Sequence, residues 1–324
     1  MMIIKFTPRI PSGYRIQSLN QRKPVIVLLF VVTLAAIFMV TLPVKETFFP
    51  YPLWKDVSTY QIIKMHLSAR PTNTNRAWAC PNVSEAGVRK MDLDLSQIQF
   101  YDDVEEKLKQ LSEKEKWKTG FAPALSRDDK ISLLHVYAVF KHALDRARLG
   151  HILLHGSAIG AWRHQGITPW DDDIDVGINV DDWMEVKKAL SCISGFTLDA
   201  STNSKWSFFK SDGHVIPDNA KKLWPFLDIF LYTQDERYVW ALNYVHLTKF
   251  VFLKDDMFPA QLLPFESLLV PVPRNLRKVL NQEYIDPDYC ASHNTNHKTG
   301  AYETTVKVPC SDISDLYKMN FSPY

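Results

Sequence analysis

What this sequence lacks first is a surplus of charge. Its 324 residues carry 38 basic and 36 acidic side chains, a net of +2. No long basic run follows residue 23, which excludes nucleic acid as an implied partner. No internal repeat and no low-complexity tract is present, so one catalytic-sized domain with appendages is expected. A third absence is local, since the 21 positions from Pro24 to Val44 contain no charged residue. About 20 apolar residues span a bilayer. The stretch ends Phe38-Met39-Val40-Thr41-Leu42-Pro43-Val44, without the small-residue pattern of a signal-cleavage site. It therefore reads as an uncleaved anchor rather than a cleaved signal or a core helix.

Lys5, Arg9, Arg15, Arg22 and Lys23 precede any acidic residue, so the positive-inside rule keeps 1–23 in the cytosol and sends everything after Val44 into the lumen. That topology is type II, and it fits the Golgi or the endoplasmic reticulum. Cys80, Cys192, Cys290 and Cys310 would then lie where disulfides are permitted, in any of three pairings. Asn82-Val83-Ser84 and Asn320-Phe321-Ser322 become glycosylation acceptors.

Residues 45–125 alternate Pro-rich, polar and charged stretches and read as a stem, with a surface helix between Leu95 and Trp117. The domain at 126–324 opens with Ser126-Arg-Asp-Asp as a helix start. Leu133, Leu134, Tyr137, Phe140, Leu144 and Ala147 then form one helical face, and Gly150 ends it. His151 to His155 follows as a short strand, Gly156-Ser157 as a turn, and Ala158 to His164 as a helix. A strand at Ile174 to Ile178, a helix at Asp181 to Ile193 and a strand at Pro225 to Tyr232 come next. The expected fold class is α+β, a mixed β-sheet with flanking helices.

The chemistry concentrates in Pro169-Trp-Asp-Asp-Asp-Ile-Asp-Val-Gly-Ile178. Along a strand, side chains alternate faces, so Asp173 and Asp175 share one side while Ile174 and Val176 enter the core. Two close carboxylates repel unless a cation neutralises them, and hard oxygens suit Mg²⁺ or Mn²⁺. An acidic surface loop would not need Trp170 and β-branched flanks. A calcium EF-hand requires glycine where Val176 stands. Gly156-Ser157 lies between a strand and a helix, where phosphate can approach backbone N–H groups. Asp228, embedded in Phe226-Leu-Asp-Ile-Phe230, needs a partner or a metal to offset its desolvation. Glycine-serine turn, paired Asp and a later single Asp form the layout of a nucleotidyltransferase-type palm.

Leu154-His-Gly-Ser-Ala-Ile-Gly-Ala-Trp-Arg-His164, followed by Gly166 to Gly177, resembles the LicD/fukutin family signature. Pro225 to Phe230 resembles that family's third acidic motif, and Pro264 to Pro273 with Leu280 to Tyr284 its closing segment, with Ile285 where glycine is usual. The resemblance covers roughly Ile131 to Tyr289. It implies transfer of an alcohol phosphate, such as phosphocholine or ribitol phosphate, from a CDP-alcohol to a glycan hydroxyl on a glycoprotein or glycolipid, with release of CMP. Asp173 and Asp175 would ligate metal, and Asp228 would be a third ligand or the base. Asp171 and Asp172 would be supporting groups or loop charges. Gly156, Ser157 and Arg163 are candidates for the phosphate. His164 reads as a proton donor or a packing residue, and Lys210, Arg274 and Arg277 as contacts for a diphosphate or an acidic glycan. Outside the family core, Cys290-x₂-His293-x₃-His297 with Cys310 has zinc-compatible spacing, though a Cys290–Cys310 disulfide is preferred in the lumen. A type II glycosyltransferase using Asp-x-Asp, or a catalytically silent binding protein of the same fold, are the competing readings.

Overall fold

The computed structural model describes residues 93–321, apart from 203, 218, 243–249, 285, 293–294 and 303. The expected cytosolic tail, the 24–44 anchor, the stem up to residue 92, Cys80, Asn82 and His293 lie outside them. Among the described residues, no helix is long and apolar enough to cross a membrane.

A seven-stranded mixed sheet carries the architecture. Its central path runs β1 (Ile152–Leu153), β2 (Ile174–Asn179), β5 (Asn219–Gln234), β4 (Lys205–Ile216) and β3 (Phe196–Asp199). From the end of β5 the sheet continues into β6 (Tyr238–Ala241) and β7 (Val251–Leu253). Every pairing is antiparallel except β2 with β5. Helix α1 (Asp102–Lys109) precedes α2 (Arg127–Ala147), α3 (His155–Arg163) and α4 (Trp183–Leu190).

Helix α2 begins as its sequence demands, with Ser126 Oγ accepting the Asp129 N–H at 3.2 Å. Its apolar stripe, Leu133, Leu134, Tyr137, Phe140 and Leu144, is fully buried in the core shared with Ile174, Val176 and Ile178 of β2. Such side chains each contribute roughly 1.5–3 kcal/mol on burial. Ala147, expected on that face, is exposed. The stop is Arg148 in the left-handed region at φ 57°, two residues before Gly150.

The segment read as stem does not stand apart from the domain. Leu93 and Ile98 are buried in the main core, and Val104 and Phe121 pack with Trp170 and Tyr317. Lys130 Nζ reaches Glu266 Oε1 at 2.7 Å and the Gln99 carbonyl at 2.6 Å, while the Gln99 N–H donates to Glu266 Oε2 at 2.7 Å. A buried charge pair is tolerated when its remaining donors and acceptors are satisfied in this way. The folded unit therefore begins upstream of residue 126. The surface helix expected between Leu95 and Trp117 is broken into a 3-10 turn, α1 and a second 3-10 segment, Glu113–Phe121.

Beyond β7 come α5 (Lys254–Met257), the hairpin β8 (Gln261–Phe265) and β9 (Leu268–Val272), and α6 (Leu276–Tyr284). The chain ends in two small ladders, β10 (Tyr289–Ala291) with β13 (Lys307–Pro309), and β11 (Thr295–Asn296) with β12 (Ala301–Tyr302). The Cys290–Cys310 disulfide closes this segment. Cys192 is also disulfide-bonded.

Candidate active site

The parallel pairing of β2 with β5 builds the site. Register sets Asp175 directly beside Asp228, and neighbouring strands lie about 4.8 Å apart. Ile174 and Val176 fill the core on the opposite face, so Asp173, Asp175 and Asp228 converge, each offering an oxygen within 4.8 Å of the others. Burial and then repulsion from Asp173 push the Asp175 carboxyl well above the usual range. Asp173 is raised to about 6, chiefly by burial. Three hard oxygen donors, crowded and largely dehydrated, fit a divalent cation of the Mg²⁺ or Mn²⁺ kind.

Asp228 carries its own counter-charges. Lys205 Nζ lies 2.6 Å from Oδ2 and Lys222 Nζ 2.7 Å from Oδ1, and Ser207 Oγ donates to Oδ1 at 2.7 Å. Burial raises this carboxyl, but Lys222 and Lys205 outweigh it and the net direction is downward. A carboxylate stabilised by two ammonium groups is a weak proton acceptor, which favours a ligand or counter-charge over a base. Neither lysine was anticipated. The available signal was the Lys205-x-Ser207 alternation, which brings both residues to one face of β4 with Ser207 opposite Asp228.

Gly156 and Ser157 sit inside the first turn of α3 rather than in a loop before it. His155, with φ 48°, makes the left-handed entry, and its Nδ1 bonds Glu283 Oε1 on α6. That carboxylate overcomes burial and raises the imidazole to about 9. A Cβ on Gly156 would meet Asp171 Oδ2 at 2.4 Å, so only glycine lets this carboxylate approach the positive end of the helix. Ser157 is 3% exposed, and its hydroxyl accepts the Asp175 N–H at 2.8 Å. It fixes the acidic strand, and it is not among the residues lining the cleft.

These groups open into a cleft of about 490 Å³, lined on one side by Gly156, Asp171, Asp173, Asp175 and Lys205, and completed by Tyr289, Ser292, His297 and Lys307 from the C-terminal segment. Trp170 Nε1 donates to the Ala291 carbonyl at 2.8 Å, tying the acidic loop to that segment.

The other anticipated residues have different places. Arg163 lines the cleft, but its NH1 donates to the Pro287 carbonyl at 3.2 Å and contacts Cys310 Sγ at 3.1 Å, so this guanidinium tethers the C-terminal segment. His164 is 1% exposed with both ring nitrogens unbonded and its ring edge on Trp170. Burial holds its pKa well below 6.5, so it packs. Lys210 points away from the acids and donates to Ser132 Oγ at 2.9 Å. Arg277 forms a two-bond pair with Asp288, 2.9 and 2.7 Å, and neither it nor Arg274 lines the cleft. The backbone N–H of Asn320 donates to the Arg163 carbonyl. The disulfide removes both cysteines of the zinc reading. His297 instead bonds Asp172, with its backbone N–H to Oδ2 at 2.9 Å and its ring Nδ1 to Oδ1 at 2.6 Å. Asp172 is thus a buried anchor rather than a loop charge.

Residues 148–275 match the family model described as LicD/FKTN/FKRP, nucleotidyltransferase domain. The lipopolysaccharide cholinephosphotransferase LicD of Haemophilus influenzae is 37% identical over 57 residues, 18% of this chain and 22% of that protein. An uncharacterised protein of Rickettsia typhi is 24% identical over 169 residues, 51% of this chain and 49% of that one. Another, from Rickettsia prowazekii, is 23% identical over 167 residues, 51% and 58% of the two chains. The chain thus spans less than two thirds of each of these relatives. The solved structure of lincosamide antibiotic adenylyltransferase LnuA, lincomycin-bound, aligns at a TM-score of 0.32 with 14% identity, covering 50% of this chain and 89% of that one, a likeness too slight to bear on the fold. Gly156, Ser157 and all five aspartates of the site fall within the stretch, residues 148–275, that matches the LicD/FKTN/FKRP nucleotidyltransferase-domain model.

Proposed function

We propose that the protein is a metal-dependent phosphotransferase that moves an alcohol phosphate, of the phosphocholine or ribitol phosphate type, from a CDP-alcohol to a glycan hydroxyl. The observation that carries this reading is the convergence of Asp173, Asp175 and Asp228 within 4.8 Å, inside a domain whose family includes a cholinephosphotransferase by name. The acceptor hydroxyl oxygen forms the new bond to phosphorus, the phosphoanhydride bond to CMP breaks, CMP leaves with the bridging oxygen, and the hydroxyl proton passes to solvent or to the departing CMP phosphate. Asp173 and Asp175 would hold Mg²⁺ or Mn²⁺ with Asp228, and the bound cation supplies charge neutralisation at the transferring phosphoryl group. Gly156 leaves room for the Asp171 carboxylate at the start of α3, beside the metal-binding acids. Lys205 adds a positive charge facing the same space, which suits the donor's diphosphate. The chain acts as a type II membrane protein with this domain in the lumen of the Golgi or endoplasmic reticulum, on an acceptor carried by a glycoprotein or glycolipid.

The test uses full-length protein in detergent micelles, given CDP-alcohols and nucleotide sugars in parallel, with Mg²⁺ or Mn²⁺ and glycan acceptors. CMP release that requires metal and is lost in Asp173→Asn supports the proposal. Release of UDP or GDP selects a glycosyltransferase instead. Absence of both nucleotide and metal binding selects a silent binding protein.

A further inference from the structure

The matched domain ends at residue 275, yet a residue from beyond it grips the acidic loop. β11 and β12 form a tight hairpin, Asn296 opposite Ala301, whose turn at 297–300 reaches the loop that follows Trp170. Both oxygens of the Asp172 carboxylate accept from His297, one from the backbone and one from the ring. A carboxylate only accepts, so Nδ1 carries the proton. The Asp172 carbonyl accepts from Trp224 Nε1 at 3.1 Å. The next residue of the turn, Lys298, pairs with Asp129 at 3.0 Å and lies 4.7 Å over the Trp224 ring. The His297 ring itself stands edge-on to Phe226, centroids 5.3 Å apart. Asp172 is therefore fixed at its carboxylate and its carbonyl, 1% exposed, while Asp171 and Asp173 on either side of it face the cleft.

We propose that the 297–300 turn is a strap that sets the acidic loop, and that His297 is its positioning residue, acting through Asp172 on the direction of Asp173. The distance from Nε2 to Asp173 Oδ2 is 3.8 Å, too long for a hydrogen bond, so the ring works through its Nδ1 side. Without that bond a buried carboxylate loses a charge-assisted partner, and the loop relaxes to recover one. Groups that orient metal-binding carboxylates in this manner typically influence metal affinity by about 10–100-fold. The inference rests on the metal-dependent reading of the site.

Two substitutions separate the ring's two edges, because the Asn amide nitrogen falls near Nδ1 and the Gln amide nitrogen near Nε2. Mn²⁺ binding to the full-length protein in micelles, without substrate, is followed by electron paramagnetic resonance, with thermal unfolding as a folding control. The expected result is that His297→Gln weakens Mn²⁺ binding by about 10–100-fold, while His297→Asn stays close to wild type and both variants unfold cooperatively. Equal affinity in wild type and both variants overturns the strap and leaves the metal reading standing. Loss in Asn with retention in Gln places Nε2 directly at the acids and overturns the positioning role. Wild-type protein that binds no Mn²⁺ overturns the metal-dependent reading, and the strap's role falls with it.

Discussion

Along β2 and β5, six consecutive residue pairs are locked by a parallel backbone ladder, whereas the segment from Tyr289 to Ile313, which lines the same cleft, is held by two short ladders, a disulfide and single side-chain bonds. The first region owes its geometry to the backbone, which any β-prone sequence reproduces. The second owes its geometry to particular side chains. The acids should therefore tolerate substitution without unfolding, while the C-terminal wall should lose its shape when one tie is cut.

The largest effect expected is functional and falls on the ladder. Asp175→Asn should lower metal-dependent transfer by about 10²–10³-fold, the scale on which one electrostatic stabiliser of a transition state acts. Its melting temperature, measured without metal, should not fall, because the change removes one of several repelling buried carboxylates. A variant that unfolds would break the comparison by showing that the strand depends on its acid. On the other side of the cleft, replacing Cys290 and Cys310 together by serine opens a 20-residue loop and should cost roughly 3 kcal/mol. Hydrogen exchange should rise between residues 289 and 313 and stay low along β2 and β5.

A third effect depends on pH. Burial, followed by Lys141, lowers the His151 imidazole to about 4, where it bonds the Tyr137 hydroxyl at 2.9 Å. The unfolded state takes up a proton below about 6.5 and the native state does not. This contribution is thus complete above pH 6.5 and disappears as pH falls towards 4, on the order of 3 kcal/mol in all. Denaturant titrations from pH 7 to 4 should show the loss, and His151→Phe should flatten it. The smallest effect belongs to Lys210→Ala, which should leave the donor KM unchanged, since Lys210 bonds Ser132 rather than the acids.

Legibility in the sequence follows the same division. The position of α2, the strand that carries Asp175, and the apolar setting of Asp228 all follow from periodicities of 3.6 and 2, and the structure has them, with Asp173 just ahead of β2 and turned towards the same acids. Those patterns are local, and so is the motif that resembles the family. Lys205 gains its meaning only across β4 and β5, where it meets Asp228, and Lys222 only through the bend of β5 that brings it back to the same carboxylate six residues on. The role of His297 is not legible locally, because its partner Asp172 lies 125 residues away and the cysteines spaced with it bond each other. Lys210 and Ser157 show the reverse, residue types that suit phosphate whose partners in the fold are the protein's own hydroxyl and amide groups.

Register also gives the site a fixed pitch. Asp175 stands opposite Asp228 because the strands are aligned there, and the next residues on the same face lie two positions away. A slip of one residue would turn the acids into the core and bring Ile174 or Val176 into the cleft. The spacing of Asp175 from Asp228 therefore cannot be tuned by degrees. Under the proposed transfer, room for a bulkier donor or a different acceptor would have to come from the opposite wall of Tyr289, Ser292 and Lys307, leaving the gauge of the Asp175–Asp228 pair constant while the opening is reshaped.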